Sequence, residues 1–132
     1  MAHSVLTAPM ASIGVPTEIK ADEQRVALTP DAVRELVTQG LEVRIQHGAG
    51  AGAGISDDAF AGAGARLVNR EEAWGAHLVV KVKEPQPEEF SLLRDDMVLF
   101  TYLHLAAYSQ VGEALLDAGT TGVAYETVQL EN

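Results

Sequence analysis

The 132-residue chain has no cysteine, only nine Lys and Arg, and no apolar run approaching the length of a membrane span. Without cysteine there can be no disulfide scaffold, no thiolate-ligated zinc or iron–sulfur centre, and no cysteine nucleophile. Nine cations stand against 19 Asp and Glu, for a formal charge of -10. That leaves no basic face for a nucleic acid and disfavours an anionic membrane surface. A transmembrane helix needs about 20 predominantly apolar residues. The segment Met1–Ser12 has no Lys or Arg and no sustained apolar stretch, which argues against a secretory signal and makes a cytoplasmic location the expectation. Residues 1–12 read as a disordered extension, with Met10 a second potential start, and residues 13–132 read as one domain. Apolar residues make up 47% of the chain, enough to bury a core.

Strand and helix patterns alternate along that domain. Ile13-Gly14-Val15-Pro16 is a short apolar strand closed by proline. Thr29-Pro30-Asp31 is a helix start: a hydroxyl N-cap, proline at the first helical position and an acid at the positive dipole end. Val33, Leu36 and Val37 follow at helical spacing, with Gly40 as the stop. Leu41–Ile45 alternates like a half-buried strand, Ser56 heads a second helix, and Ala65–Val68 is a third strand. Arg70–Ala76 is a helical turn or two, and Leu78–Val82 is a strand apolar enough to be buried on both faces. Glu88–Leu93 reads as a short helix, Met97–Tyr102 as a strand, Ser109 to Gly119 as a helix and Gly122–Val128 as a final strand. About six strands joined by helical crossovers predict an α/β fold: a doubly wound, mostly parallel, Rossmann-like sheet with helices on both faces.

Ligands of such sheets bind beyond the carboxyl ends of the strands. Arg25 lies in the loop after the first strand, Lys83 directly follows Leu78–Val82, and His104 follows the strand ending at Tyr102. If those strands are neighbours, a forked donor, a compact cation and a proton carrier meet at one edge. That set suits a small carboxylic acid undergoing proton transfer at an adjacent carbon or amine. A second reading stays open, because an Arg or Lys after a strand is usually a solvated charge. A histidine flanked by Leu103 and Leu105 is likewise more often a satisfied core group. The Gly/Ala loop His47–Gly54 cannot complete G-x-G-x-x-G, since Ala53, Ile55 or Asp57 occupies the last place. It reads instead as a flexible connection where backbone packs closely or approaches a ligand. The four histidines are scattered with no i, i+4 pair, so no metal site is expected.

Six stretches carry a resemblance. They are Gly14-Val15-Pro16-Thr17-Glu18-Ile19-Lys20 with Glu23-x-Arg25-Val26-Ala27-Leu28-Thr29-Pro30, Ile45–Gly50, Lys81-Val82-Lys83-Glu84-Pro85, Phe100–Ala106 and Ala124–Val128. In this order they resemble the N-terminal substrate domain of the alanine dehydrogenase/pyridine nucleotide transhydrogenase family, over about Ile13 to Val128. The resemblance implies that Arg25 and Lys83 hold a substrate carboxylate and carbonyl and that His104 is the catalytic acid/base. Lys83 and His104 together place the chain nearer the alanine dehydrogenase branch than the transhydrogenase branch. The implied reaction is L-alanine, NAD and water to pyruvate, ammonium and NADH.

By the same resemblance, the family continues into an NAD-binding domain that this chain lacks. The expectation is therefore a domain truncated before its cofactor domain and inactive alone, with no cofactor-binding residue of its own. A separate NAD-binding chain or a homo-oligomer would be its partner. The alternatives are a non-catalytic small-acid-binding or subunit-interaction module, or a fragment of a transhydrogenase α-subunit.

Overall fold

A computed structural model describes residues 11–130. Six strands form one sheet: β1 (Ser12–Val15), β2 (Glu42–Gln46), β3 (Arg66–Val68), β4 (Leu78–Val80), β5 (Val98–Thr101) and β6 (Thr121–Ala124). Every neighbouring pair is parallel, in the order β3-β2-β1-β4-β5-β6. The chain winds outward from β1 to β3, then crosses back to β4 on the other side of β1. The order reverses between β1 and β4, and there a doubly wound sheet opens its crevice. The α/β fold expected from the alternating pattern is the one observed. The extension expected over residues 1–12 ends earlier, because Ser12 is buried and opens β1; the start choice at Met1 or Met10 and residues 1–10 lie outside the described residues.

Among the described residues four α-helices connect the strands: α1 (Pro30–Thr38), α2 (Asp57–Gly62), α3 (Arg70–Trp74) and α4 (Ser109–Ala118). The Thr29 hydroxyl accepts the Ala32 N–H, and Pro30 opens α1 where no N–H is needed. Ser56 caps α2 in the same way. For α3 the cap is Asn69, in a reciprocal capping box with Glu72. Tyr108, not Ser109, flanks α4, and it offers no side-chain cap.

Successive strand residues face opposite ways, so the sheet buries two apolar layers. Val15, Val43 and Ile45 pack with Val33 of α1 and Phe60 of α2. Val79 and Leu99 pack with Trp74 of α3 and with Val111 and Leu115 of α4. Gly14 faces α3, and a Cβ there would overlap the carbonyl oxygen of Ala73. Only glycine lets α3 approach so closely.

Two strand ends differ from the sequence pattern, and both differences shape the crevice. The pattern carried β4 to Val82, but it ends at Val80. The Glu18 carboxylate takes the N–H groups of Val82 and Lys83, so those donors leave the ladder. The pattern also carried the last strand to Val128. It stops at Ala124, and Tyr125–Thr127 turn as a 3-10 segment. There the Tyr125 ring packs edge-on against Phe100, 4.3 Å between centroids, and Glu126 folds back onto the chain after β5.

Candidate functional site

Arg25, Lys83 and His104 follow β1, β4 and β5, adjacent strands whose carboxyl ends share one sheet edge. Pro16 closes β1, and two residues on Glu18 points into the crevice. Its carboxylate accepts from Lys81 Nζ at 3.0 Å, Val82 N at 2.9 Å and Lys83 N at 3.0 Å. Lys81 is almost wholly buried, and its ammonium also lies 3.6 Å from the buried Glu89. Burial pushes the Glu89 carboxyl above its ordinary value, a rise that the charge of Lys81 partly offsets. Beside this triad Lys20 is held by Glu84 at 2.6 Å and sits over the Tyr108 ring, 4.6 Å from its centroid. The hydrogen bond that Lys20 donates to Glu84 raises the Lys20 pKa.

Arg25 is clamped from one side. Glu23 accepts its Nε at 2.9 Å, its Nη2 at 2.7 Å and its backbone N–H at 2.8 Å. These bonds, with a smaller contribution from the charge of Lys83, hold the Glu23 carboxyl down at about 2. The Arg25 side chain remains 63% exposed, leaving the other edge of its guanidinium open to a second carboxylate. Arg25 opens on a hollow of about 370 Å³ with Val82, Tyr102 and Tyr125 in its wall. Burial, then the nearby charge of Glu18, pushes the Tyr125 phenol up to about 12. Lys83 is half-buried. Among the described residues it is the one Lys or Arg with no carboxylate within ion-pair distance; the other eight are all paired.

His104 stands in an adjoining pocket with Leu103, Leu105 and Glu126. Its backbone is left-handed, φ +52°, a conformation non-glycine residues adopt only where their surroundings hold them. The Glu126 carboxylate does so, accepting Leu103 N at 3.1 Å and His104 N at 3.0 Å. One of its oxygens also lies 3.9 Å from His104 Nδ1. Desolvation pushes Glu126 up, but the N–H bonds from His104 and Leu103 outweigh it, so its carboxyl titrates below the ordinary value. The Tyr102 ring stacks on the imidazole at 5.8 Å and also lines the hollow at Arg25, so one aromatic wall joins the two pockets.

The carboxylates that organise the trio were not singled out as functional from the sequence. For Glu23 a signal existed, a carboxylate two residues before the arginine. Glu18 and Glu126 act on partners 63–65 and 22–23 residues away, a proximity that only the strand order creates.

The profile of the alanine dehydrogenase/PNT N-terminal domain matches residues 14–132. The chain belongs to this family. It is 50% identical over 117 residues to the alanine dehydrogenase of Bacillus subtilis, covering 88% of this chain and 31% of that protein. With the enzyme of Mycolicibacterium smegmatis the identity is 55% over 119 residues, covering 89% and 32%. A solved L-alanine dehydrogenase superposes with a TM-score of 0.89 at 51% identity, covering 92% of this chain and 34% of that one. A transhydrogenase from Sinorhizobium meliloti superposes at 0.85 with 28% identity, covering 92% and 36%. The chain thus spans about a third of the length of the relatives it matches. Among the described residues no helix is long and apolar enough to cross a membrane.

The residues present do not fit a dinucleotide. In a Rossmann site the first strand leads through a glycine turn straight into a helix whose N-terminus meets the pyrophosphate. In this member of the alanine dehydrogenase/PNT family the stretch from Pro16 to Thr29 has no glycine and puts Glu18 and Glu23 at the mouth. The N–H groups of Val82 and Lys83 at this edge are already taken by Glu18.

Proposed function

We propose that this chain is the substrate-holding domain of an NAD-dependent L-alanine dehydrogenase, with the nucleotide held by a part of the enzyme outside these residues. The observation that carries this reading is Lys83, the cation without a carboxylate partner at the end of β4, near enough to the Glu23–Arg25 pair for its charge to lower the Glu23 carboxyl. An unpaired cation and a forked donor at one sheet edge suit a ligand with a carboxylate and a second oxygen or nitrogen on the next carbon. Arg25 holds the carboxylate as a fork. Lys83 donates to the 2-oxo oxygen of pyruvate and polarises it. His104, steadied by Glu126 and stacked on Tyr102, carries the proton that leaves or joins the substrate nitrogen or oxygen. The hydride acceptor of the reaction, NAD, has no cradle among these residues, so the domain alone is expected to bind substrate without turning it over. The part of the enzyme that holds NAD, on this polypeptide or on another chain, would complete it.

Calorimetry of the purified chain with pyruvate tests the reading. Saturable binding is expected, weakened about 10- to 100-fold in Arg25→Ala, the cost of losing charge-assisted hydrogen bonds. Lys83→Met should lose a similar amount. Pyruvate-independent behaviour of wild type would remove the assignment. Binding that survives both substitutions would move the site elsewhere. Binding that no NAD-binding chain or full-length subunit ever converts into turnover would favour a non-catalytic acid binder.

A further inference from the structure

The Gly/Ala loop forms a shelf fastened to the core. Its Gly48 N–H donates to the Asp57 carboxylate at 2.9 Å. Backbone bonds Ala51 N to Gly48 O at 3.1 Å, Ala53 N to Gly50 O at 3.0 Å and Ile55 N to Gly50 O at 2.9 Å close it into tight turns. Gly50 lies so close to the fully buried Phe60 that a Cβ would come within 2.7 Å of the ring. The loop carrying Arg25 is pinned at its start by Glu18 and by the Lys20–Glu84 pair, but beyond Lys20 it has little of its own to hold it. Thr17 N donates to Gln46 Oε1 at 2.9 Å and Glu23 N to Lys20 O at 3.1 Å, and Asp22 turns at φ +66°. The two loops meet at Gly52. A Cβ on Gly52 would overlap Gln24 Oε1 and stand 3.0 Å from Gln24 O and 3.2 Å from its Cα.

We propose that Gly52 is a positioning residue for Arg25: its bare backbone lets the segment 22–25 lie flush on the shelf, which fixes the Glu23–Arg25 pair toward the crevice. Gln24 sits between Glu23 and Arg25, so whatever moves its main chain moves both members of the clamp. The loop that fails as a phosphate cradle thereby serves as the floor under the substrate arginine. The role rests on the reading of Arg25 as the carboxylate holder, but the contact does not.

The test compares Gly52→Ala, Gln24→Ala and the double variant, with Gly62→Ala as control because nothing lies within 4 Å of that position. Two readouts are taken on the full chain at neutral pH: pyruvate affinity by calorimetry, and solvent exchange of the Arg25 Nε–H by NMR, which reports the Glu23 hydrogen bond without any ligand. Gly52→Ala is expected to weaken pyruvate binding about tenfold, which is 1.4 kcal/mol, and to speed Nε–H exchange. The loss should persist in the double variant, since Gln24→Ala keeps the backbone O and Cα that a Cβ on Gly52 meets at 3.0 and 3.2 Å. Wild-type exchange in Gly52→Ala would overturn the proposal, as would full recovery in the double variant, which would trace the effect to the flexible end of Gln24 rather than to the main chain. If wild type binds no pyruvate, the functional reading fails while the exchange data still decide the brace.

Discussion

Lys81→Met removes the cation from a buried group of three charges. Lys81, Glu18 and Glu89 are each about 98% or more shielded at the side chain. Without the ammonium, Glu18 keeps the N–H groups of Val82 and Lys83, and Glu89 keeps only that of Gln86 at 2.9 Å. Removing one partner of a buried ion pair costs about 3–5 kcal/mol, against a total stability of about 5–15 kcal/mol for an ordinary domain. For a domain of this size that is a fall in Tm of about 10–20 °C. The pH dependence sharpens the expectation. Glu89 has a raised folded-state pKa in the wild type, and losing Lys81 raises it further. A carboxyl whose pKa is raised on folding destabilises above that pKa and ceases to do so below its unfolded value. Lowering the pH from 8 toward 5 should therefore restore part of the loss in Lys81→Met, and Glu89→Gln in that background should restore part of it at pH 7. Urea unfolding across that pH range measures both. A cost under about 1 kcal/mol that is independent of pH would refute the assignment of Lys81 as the neutralising charge, since the buried-pair figure could not then apply.

Other consequences concern the clamp, the histidine and the helix contact. Glu23 has its folded-state pKa depressed from 4.5 to about 2, so it contributes stability that is present above 4.5 and lost as the pH falls toward 2; Glu23→Gln should flatten the acid-unfolding curve in that window. Glu126→Ala should speed amide exchange at Leu103 and His104 by about tenfold or more, since both lose their acceptor. His104→Gly relieves a left-handed residue and should be neutral or stabilising by up to about 1 kcal/mol in thermal unfolding, while removing the proton carrier of the proposed reaction. Gly14→Ala drives a methyl into the Ala73 carbonyl and should cost about 3 kcal/mol or more; circular dichroism at 37 °C would show the loss of folded protein.

What the sequence made legible is what short-range chemistry decides. Thr29-Pro30-Asp31 and Ser56 announced their helices because a cap needs only the next three residues. The parallel sheet followed from strands separated by crossovers too long for hairpins. The misreadings came where a distant side chain takes over a backbone donor. Nothing local stops the apolar run at Val80; Glu18, 64 residues earlier, stops it by capturing the N–H of Val82. Gly122–Val128 keeps the composition of a strand to its end, yet Glu126 is drawn off by N–H groups 22 and 23 residues away. The position of Arg25 after a strand was visible, whereas its orientation depends on Glu23 and on the Gly52 shelf, which come together only in the folded chain.

The charge of the crevice resolves an apparent conflict between an acidic protein and an anionic ligand. A formal charge of -10 would repel a carboxylate if it acted at a distance, but at physiological ionic strength exposed charges are screened beyond about 8 Å. What an incoming anion meets is the local set, and there the acids are spent. Glu18 and Glu89 neutralise Lys81, Glu84 neutralises Lys20, and Glu23 turns half of Arg25 away from solvent. Each pairing removes a cation that could draw the ligand to the wrong place. Lys83 is left as the one strong donor without a partner among the described residues. On the proposed reading, the abundance of carboxylates around this edge therefore does not oppose anion binding; it leaves Lys83 as the cation open to it.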